Sequence, residues 1–529
     1  MKMKKILLWM LVVSMIVVFS MVGSLVGCKP AAEEEAVVEE AVVEEEEAAP
    51  VKEEAPKKYE GVKLTVVTQP GPYIAGPLID HGKEWTALTG GEVEVIEVPY
   101  EELYSKIMTP FATGVHAYDM IVVSATWLPD FTTYLVTLDD YIANTDTNPD
   151  WDDILPAFRE KLATWQGKVY ALPLDGDTHT LFYRRHLFTD ENNQANFKTE
   201  YGYDLQVPKT MNQLRDVAEF FTGWDWSGDG QADFGWAQPM ARGGQAHWWF
   251  WNFTAPYSVM PGAVDKYHGQ LYFDPETMEP LVNQPGMLKG LELYKEMTKF
   301  GPPGMEAWGV GEIRSAFPST ANIAMTIEWG GIPGQCNDPS YSNPAVMGDC
   351  GSAPRPGATE VWDRENQKWL EVTEPNTAPV LSFGGWVGAI TKTCTNQEAA
   401  YDFLKFMNSP EISIQDVMVG DSGYNVYRYS HIENLQAWID VGIAEQDAQE
   451  YLDAVKADLE NPNVLIDLRI PGKPEYVDTV LDLHVNMAIV GDETPQEALK
   501  TVYDEWEKIT ERLGLDSQKS MYKIMMGMD

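Results

Sequence analysis

Residues 225–233 combine the side chains and the spacing of a calcium-binding loop. Oxygen-bearing side chains occupy alternate positions of this run: Asp225, Ser227, Asp229, Gln231 and Asp233. An EF-hand loop supplies oxygen ligands to Ca²⁺ at this spacing, with a glycine at its sixth position. The twelfth position is Trp236 instead of the usual bidentate glutamate, so a carboxylate from elsewhere would have to complete the shell. Two interpretations stay open, a structural Ca²⁺ clip without a catalytic role and an ion-free Asp/Gly turn.

Aromatic residues form a second group with ligand-binding chemistry. The chain contains 18 Trp and 24 Tyr, and flat aromatic faces suit sugar rings, whose C–H surfaces are apolar. The candidates for stacking begin or follow predicted strands, or come from the aromatic run 248–251: Trp127, Trp248, Trp329 and Trp386. Consecutive residues cannot all face one way, so most of this run is predicted to be core. Core packing remains an alternative for each of the four tryptophans.

Polar residues at alternate positions could recognise hydroxyl groups. Asp175, Asp177 and His179 lie on one face if their segment is extended, and carboxylates and imidazoles donate to or accept from hydroxyls. The alternative is a solvated turn. Further candidates come from their positions in predicted loops: Tyr73, Tyr424 and Asn425.

The elements that must position these residues begin at residue 61. The predicted strands and helices alternate in the order 62–68, 78–88, 93–98, 101–111 and 119–123. A βαβαβ order implies a mainly parallel sheet with helices on both faces, and ligands bind beyond the carboxyl ends of such strands. Tyr73 and Trp127 lie in the loops at those ends.

Three later helices have capping-box start signals before an apolar stripe of helical period. The first residues of these boxes are Thr210, Thr395 and Thr494, each followed three residues later by Gln or Glu. Strands are predicted between these helices at 322–327 and 386–391. A chain of 529 residues is too long for one core, so we expect two α/β lobes of unequal size.

The N-terminus has the pattern of an export segment. Basic residues 1–5 precede an uncharged run, 6–26, and the sequence Leu25-Val26-Gly27-Cys28 resembles a bacterial lipobox. The resemblance implies a lipoprotein signal peptide at residues 1–27 and a lipid on Cys28. The alternative is an uncleaved signal anchor, which is long enough to span a bilayer. Both interpretations place the bulk of the chain outside the cytoplasm, in the periplasm or at the cell surface, anchored to the membrane.

Residues 28–60 are predicted to be an acidic, disordered linker. Twelve Glu and four Lys follow Cys28 with almost nothing able to form a core, and a charged linker extends through self-repulsion. The whole chain has a formal net charge of −43. This charge argues against nucleic acid or an anionic membrane surface as the main partner, because both would repel it.

Three further cysteines lie in the part of the chain that export would bring into an oxidising compartment. Cys336 and Cys350 are separated by 13 residues rich in Asn, Pro, Ser and Gly, and we predict a disulfide between them. Cys394 is predicted to be a bystander instead of a nucleophile, because no nearby motif supplies a base.

The segment 172–188 resembles the signature of the family 1 extracellular solute-binding proteins, the maltose-binding-protein-like receptors of ABC importers. Its sequence Leu-Pro, six variable residues and then Thr-Leu-Phe-Tyr-Arg-Arg-His-Leu-Phe departs from the signature at Thr180 and Arg184. Other segments resemble the family in the same order along the chain: 118–122, 324–331, 384–390, 398–411 and 423–428.

The resemblance implies a two-lobed periplasmic-binding-protein-like α/β fold with a ligand cleft between lobes joined by hinge strands. Carried over, residues 61–185 and 386–428 form the N-terminal lobe, and residues 186–385 and 429–529 form the C-terminal lobe. The chain would cross between lobes shortly after Tyr183, before Trp386 and near Arg428. The candidate ligand residues would then face the cleft.

The expected function is the substrate-binding component of an ABC importer. It would capture a mono- or oligosaccharide, act as a monomer without an organic cofactor, and deliver the sugar to the transmembrane permease subunits. A non-sugar solute, such as a peptide, an amine or a polyol, is the alternative. A secreted glycoside hydrolase is a weaker one, since any two carboxylates can be imagined as its pair and no Gly-x-Ser-x-Gly, His-Glu-x-x-His or P-loop motif occurs. We therefore expect no enzymatic activity.

Overall fold

The computed structural model describes residues 57–243, 245–262, 270–420 and 422–528. The predicted signal peptide, the predicted lipid attachment site Cys28 and most of the predicted linker 28–60 lie outside the described residues. Within those residues, no helix combines the length and the apolar character that crossing a membrane requires.

A five-stranded sheet forms the first half of the fold. Its strands, in spatial order, are Glu92–Glu97, Lys63–Thr68, Met120–Ser124, Trp386–Ile390 and Leu172–Pro173. The first three are parallel, and Trp386–Ile390 runs antiparallel to both of its neighbours. The strands Met120–Ser124 and Trp386–Ile390 are buried along their whole length, as their Val and Ile content predicts for strands that are covered on both faces.

Helices cover this sheet, and shorter helices, turns and a hairpin connect its strands. The longer helices are Ala75–Thr89, Tyr100–Thr113, Gln397–Asn408 and Pro410–Met418. The shorter elements are the helices Leu128–Phe131 and Asp139–Ala143, the 3₁₀ turns Ala125–Trp127, Thr132–Tyr134 and Trp151–Asp153, the π-helix Ala157–Leu162, and the hairpin of Thr164–Trp165 with Lys168–Val169.

A three-stranded antiparallel sheet forms the second half. Its strands, in spatial order, are Met325–Glu328, Thr180–Arg184 and Cys350–Ala353. The central strand Thr180–Arg184 is fully buried. The predicted first lobe, 61–185, includes this strand, but its pairing puts it in the second sheet. The first crossing therefore lies within residues 174–179 instead of after Tyr183.

The second sheet is surrounded by helices, a hairpin and a short parallel strand pair. The α-helices are Arg185–Thr189, Glu191–Tyr201, Met211–Phe220, Gln245–Ser258, Pro285–Glu296, Val310–Ser319, Ile332–Asn337, Tyr429–Glu433, Leu435–Asp440, Glu445–Leu459, Asp482–Val490, Pro495–Leu513 and Leu515–Met526. The remaining elements are the 3₁₀ turns Met297–Phe300 and Met305–Ala307, the π-helix Pro474–Leu481, the hairpin of Ala358–Asp363 with Lys368–Asn376, and the parallel pair Val380–Leu381 and Leu465–Ile466.

The predicted helix starts are confirmed at two of three positions. The side chains of Thr210 and Thr494 accept hydrogen bonds from the backbone N–H groups three residues on, and both capping boxes are complete. The predicted helix start at Thr395 is wrong by one residue, because Asn396 is the residue that precedes the helix Gln397–Asn408, and its side chain makes no capping hydrogen bond.

Glycine permits the close approach of two crossing segments. Gly385 has a φ of +92°, and a Cβ at this position would collide with the backbone carbonyl of Asp175. Only glycine combines this left-handed conformation with the absence of a side chain. The crossing segment 174–179 therefore packs directly on the turn that leads into the strand Trp386–Ile390.

A buried histidine joins two helices that cover the first sheet. His81 lies on Ala75–Thr89, with Nε2 3.0 Å from Oδ1 of Asp416 and Nδ1 3.1 Å from Oε2 of Glu84. Burial alone would lower the pKa of His81, but the hydrogen bonds and charges of these carboxylates outweigh it and raise the pKa to about 9. Burial raises the pKa of Asp416, and His81 opposes that rise.

Replacing His81 with Gln should destabilise the protein in a pH-dependent way. The folded-state pKa lies above the ordinary value, so the contribution of the charged imidazole is complete below about pH 6.5 and is lost as the pH rises through 9. We expect His81→Gln to lower the free energy of unfolding by about 1–2 kcal/mol at pH 6 and by much less at pH 10. Denaturant titrations at both pH values measure this; the matched control is His116→Gln, at a side chain that is 48% exposed. Equal losses at the two pH values would contradict the assignment.

Candidate ligand-binding cleft

A cavity of about 410 Å³ lies between elements of the two sheets. Tyr73, Tyr100 and Trp386 line it from the side of the five-stranded sheet, and Trp248 and Trp329 line it from the other side. Its further lining includes Gln69, Glu101, Asp177, Arg314 and Phe383. The cavity is thus walled by aromatic rings with a few polar groups between them.

Tyr100 is the centre of the aromatic wall. It begins the helix that follows the edge strand Glu92–Glu97, so its ring lies near the carboxyl ends of the parallel strands. The ring stacks on Trp127 with centroids 5.1 Å apart and meets Trp248 and Trp386 edge-on, each at 6.2 Å. Such stacked and edge-on pairs stabilise one another beyond simple burial. Trp127 is 2% exposed and supports Tyr100 from behind.

Trp329 forms the opposite wall. It follows the strand Met325–Glu328, and its ring lies edge-on to Trp248 at 6.2 Å. The imidazole of His179 stacks behind it at a centroid distance of 3.7 Å and is hydrogen-bonded to Nδ2 of Asn252. Burial, and secondarily the charge of Arg355, lowers the pKa of His179 well below its usual range. His179 is therefore a neutral support for Trp329.

Arg314 contributes a cation to the cavity. It lies on the helix Val310–Ser319, is 4% exposed, and donates from Nε to Oε2 of Glu328 at 3.2 Å. In the described part of the chain, its other guanidinium N–H groups have no hydrogen-bond acceptor. Burial raises the pKa of Glu328 to about 7, and Arg314 opposes this rise. The free N–H groups are available to a ligand oxygen.

Two carboxyl groups and an amide hold the crossing segments together. Oδ1 of Asp175 accepts from the backbone N–H of Asn425 at 2.6 Å, and Oδ2 accepts from that of Trp386 at 3.3 Å. Nδ2 of Asn425 also donates to Oδ1 of Asp177 at 2.7 Å. Burial raises the pKa of both carboxyls, that of Asp175 to about 7, and they hydrogen-bond to each other. The pair therefore shares a proton near neutral pH.

Several polar atoms of the cavity region are buried without a partner. Among the described residues, the hydroxyl of Tyr100, Nε1 of Trp248 and Oδ1 of Asn425 have no hydrogen-bond partner. Buried polar groups are nearly always satisfied in folded proteins, and an unmet group is costly. A bound molecule with hydroxyl groups would satisfy those of Tyr100 and Trp248, whose side chains line the cavity.

The structure brings half of the predicted ligand residues to the cavity. Tyr73, Asp177, Trp248, Trp329 and Trp386 line it. The other candidates are buried beside or behind this lining: Trp127, Asp175, His179, Tyr424 and Asn425. Tyr424 is held by a hydrogen bond from its hydroxyl to the carbonyl of Ile74.

The sequence did not point to several lining residues, among them Tyr100, Glu101, Arg314 and Phe383. Tyr100 and Glu101 follow a predicted strand directly, so the rule that ligands bind beyond strand ends could have found them. Arg314 lies on the helix Val310–Ser319, which reaches the cavity only through tertiary packing. No local sequence pattern predicts that this helix lines the cavity.

The cysteines do not form the predicted disulfide in the structure. Cys336 and Cys350 are free, buried thiols in hydrogen-bonding contact with each other. The fold brings them together because the helix Ile332–Asn337 packs on the strand Cys350–Ala353. Cys394 is a free thiol and is 4% exposed.

The loop 225–233 lies outside the cavity lining and gathers three carboxylates. Asp225, Asp229 and Asp233 each offer an oxygen, and these atoms lie within 4.8 Å of one another. The carboxylate of Asp233 accepts from the backbone N–H and the hydroxyl of Ser227. Gln231 donates its backbone N–H to Asp229.

Replacing Asp177 with Asn should stabilise the protein at alkaline pH. Because the pKa values of the pair are raised in the folded state, the folded protein binds protons more tightly than the unfolded chain does. The stability of the wild type therefore falls as the pH rises from about 4 through 7. An amide at 177 would donate to Asp175 in place of the shared proton. We expect Asp177→Asn to raise the free energy of unfolding by about 1–2 kcal/mol at pH 8 and to change it little at pH 5. Chemical denaturation at both pH values checks this, and an unchanged pH slope would refute proton sharing.

The chain is similar to a known family over most of its length. Residues 44–413 match the model of a family described as bacterial extracellular solute-binding protein. A probable amino-acid ABC transporter periplasmic-binding protein of Sinorhizobium fredii is 23% identical over 368 residues, which cover 69% of this chain and 73% of that protein.

Solved structures share the fold. A solute-binding protein of Agrobacterium radiobacter in complex with ribitol has a TM-score of 0.67 at 24% identity and covers 86% of this chain and 100% of its own. The maltose-bound MalE3 of T. maritima has a TM-score of 0.64 at 19% identity and covers 85% of this chain and 100% of its own. The predicted α/β fold of the two-lobed solute-binding proteins is confirmed.

Proposed function

Because the chain belongs to the bacterial extracellular solute-binding protein family, we propose that it is the carbohydrate-binding receptor of an ABC importer. Its ligand would be a small sugar or polyol, held in the cavity between Tyr100, Trp248, Trp329 and Trp386. The receptor would deliver this ligand to permease subunits in the membrane. It would act by binding alone, a proposal that the family's description as solute-binding proteins supports.

The observation that carries this proposal is the set of buried, unpartnered polar atoms in an aromatic cavity. The hydroxyl of Tyr100 and Nε1 of Trp248 have no partner among the described residues, and both side chains line the cavity. A sugar presents apolar C–H faces to rings and hydroxyls to the groups between them. The ligands of two similar structures, ribitol and maltose, fit this chemistry.

Polar residues at one end of the cavity would fix the orientation of the ligand. Arg314 would donate its free N–H groups to ligand oxygens, and Asp177 would accept from a ligand hydroxyl beside it. Both side chains line the cavity, and both are at least nine-tenths buried. Hydrogen bonds to such desolvated groups discriminate strongly, because a ligand lacking the matching group leaves them unpaired.

Ligand binding would bias the relative position of the two sheets. The walls of the cavity come from elements packed on both of them, so a molecule touching both walls favours the arrangement in which the walls are close. A ligand shifts such an equilibrium only by its difference in affinity for the two arrangements. Hinge closure of this kind is the established repertoire of periplasmic binding proteins.

An amino acid is the second candidate ligand. Arg314 and Asp177 would pair with its carboxylate and ammonium groups, and the Sinorhizobium fredii relative is named as a probable amino-acid transporter component. The aromatic walls favour the sugar, since the rings that line the cavity from both sheets offer an amino acid few charged partners.

Substituting the cavity residues should weaken sugar binding. We expect a pentitol, hexitol, monosaccharide or disaccharide from a screening panel to raise the melting temperature, by the equivalent of about 2.7 kcal/mol at one hundred times its Kd. Trp248→Ala and Arg314→Gln should each weaken that ligand at least about tenfold by calorimetry. Trp224→Ala is the control, at a tryptophan that is 39% exposed and away from the cavity lining.

The panel also contains the proteinogenic amino acids. A response to an amino acid with none to any sugar or polyol would replace the carbohydrate assignment by the second candidate. Equal binding by wild type and Trp248→Ala would contradict the assignment of the cavity.

The cellular location forms part of the proposal. We propose that the protein is exported, is cleaved before Cys28 and is anchored outside the cytoplasm by a lipid on that residue. The family description, which names extracellular proteins, supports export, and the lipobox-like sequence 25–28 supports the anchor.

We also propose a structural Ca²⁺ ion in the loop 225–233. Three carboxylate oxygens within 4.8 Å of one another support it, since Ca²⁺ takes oxygen ligands in flexible arrangements. Asp225, Asp229 and Asp233 would bind directly, and the carbonyl of Gln231 and the hydroxyl of Ser227 are further oxygen donors in the loop.

Chelation should lower the melting temperature if the loop holds calcium. We expect EDTA to lower the melting temperature by several degrees, because a ligand that binds only the folded state stabilises it, and added Ca²⁺ to restore it. Asp229→Asn should reduce the response, while Asp204→Asn, at an exposed carboxylate outside the loop, should leave it intact. A melt unaffected by EDTA, with no calcium in the purified protein by elemental analysis, would remove the ion from the proposal.

A further inference from the structure

A second cavity, of about 550 Å³, borders the short parallel strand pair Val380–Leu381 and Leu465–Ile466. Leu465 and Ile466, which pair with Val380 and Leu381, form part of its wall. No residue lines both this cavity and the ligand cleft. Within the described residues, the two cavities therefore have separate linings.

The walls of this cavity are largely apolar and come from both halves of the fold. Trp165 contributes from the hairpin beside the first sheet, and Tyr272, Leu465, Met525 and Met526 contribute from the second half. Rings, branched aliphatic chains and flexible methionines accommodate apolar bodies of varied shape.

Arg469 brings a buried positive charge to the wall. It is 2% exposed, and its guanidinium donates to the backbone carbonyls of Ala125, Lys161, Leu162 and Thr164. In the part of the chain that is described, no carboxylate forms an ion pair with it. The group lies over the ring of Trp165, 5.2 Å from its centroid. Burial lowers the pKa of Arg469 to about 9, and four carbonyl oxygens, not a carboxylate, surround its charge.

Lys161 adds a second cation to the lining. Its side chain is exposed and has no ion-pair partner among the described residues. Glu160 also lines the cavity, but its carboxylate pairs with Arg159 at 3.3 Å. Two cations without ion pairs thus line one cavity of a protein whose net charge is −43.

We propose that this cavity is a binding site for an amphipathic organic anion, a carboxylate with an aromatic or branched aliphatic body. The carboxylate would lie toward Lys161 and Arg469, and the body would pack on Trp165, Tyr272 and Met525. Charge complementarity selects this class, since the apolar walls disfavour a small hydrophilic anion and the two cations disfavour an organic amine. The site is independent of the sugar or amino acid proposed for the cleft.

The test compares a charged probe with its neutral counterpart. Calorimetry at pH 7 measures the binding of 1-naphthylacetate and of 1-naphthylacetamide, which keeps the body and lacks the charge. We expect saturable 1:1 binding of the carboxylate and at least about tenfold weaker binding of the amide, the effect of one partly desolvated charge pair.

Variants locate the probe. Lys161→Glu reverses an exposed charge and should weaken the carboxylate about tenfold. Met526→Trp should weaken both probes by filling the cavity. Lys209→Glu makes the same charge change at an exposed residue outside the cavity lining and should leave binding unchanged. Arg469 itself is retained, because its four carbonyl contacts make it part of the folded core.

Trp248→Ala separates this site from the cleft and should leave probe binding unchanged. If Trp248→Ala no longer binds the probe, the probe binds in the cleft and the proposal is overturned. The proposal also fails if neither probe binds, if both bind equally, or if Lys161→Glu binds the carboxylate as wild type does. A failed sugar screen, by contrast, would concern the cleft alone.

Discussion

The hydrogen bonds of the Asp175 carboxyl are the interaction on which the arrangement of the two sheets depends. One side chain joins three segments that are distant in sequence: its own crossing segment, the start of the strand Trp386–Ile390 and the turn at Asn425. The group is 1% exposed, and a buried carboxyl without these donors would be strongly destabilising. The tie therefore fixes where the chain passes between the sheets, and with it the position of every wall of the cleft.

The same tie links structure to ligand recognition. Asp177 hydrogen-bonds to Asp175 and lines the cavity, so the group that would meet the ligand belongs to the unit that holds the crossing segments. A carboxyl that shares a proton can both donate and accept, as a hydroxyl-rich ligand requires. Around it, Trp127 and His179 serve as backing for the rings that line the cavity, so the aromatic wall is two layers thick.

Local signals in the sequence predicted local structure well. The caps at Thr210 and Thr494 depend on residues three positions apart, and the burial of Met120–Ser124 follows from its composition. The order of family-like segments predicted the fold class. Two features could not be predicted from the sequence. The position of Arg314 at the cavity depends on packing between residues far apart in the chain, and the exact crossing point depends on strand pairing. Thr180–Arg184 has the pattern of any buried strand, and only its partners Met325–Glu328 and Cys350–Ala353 assign it to the second sheet.

Gly385 sets a limit on how this receptor can diversify. Its backbone passes so close to the carbonyl of Asp175 that a methyl group would force the two segments apart. The rings of the cleft wall, by contrast, are side chains that border the cavity. New specificities can therefore arise by exchanging Tyr100, Trp248 or Trp329 while the pivot stays constant. The close backbone contact of Gly385 with Asp175 thus has to be kept, while the side chains that recognise the ligand can change, although Trp386, the next residue, already lines the cavity.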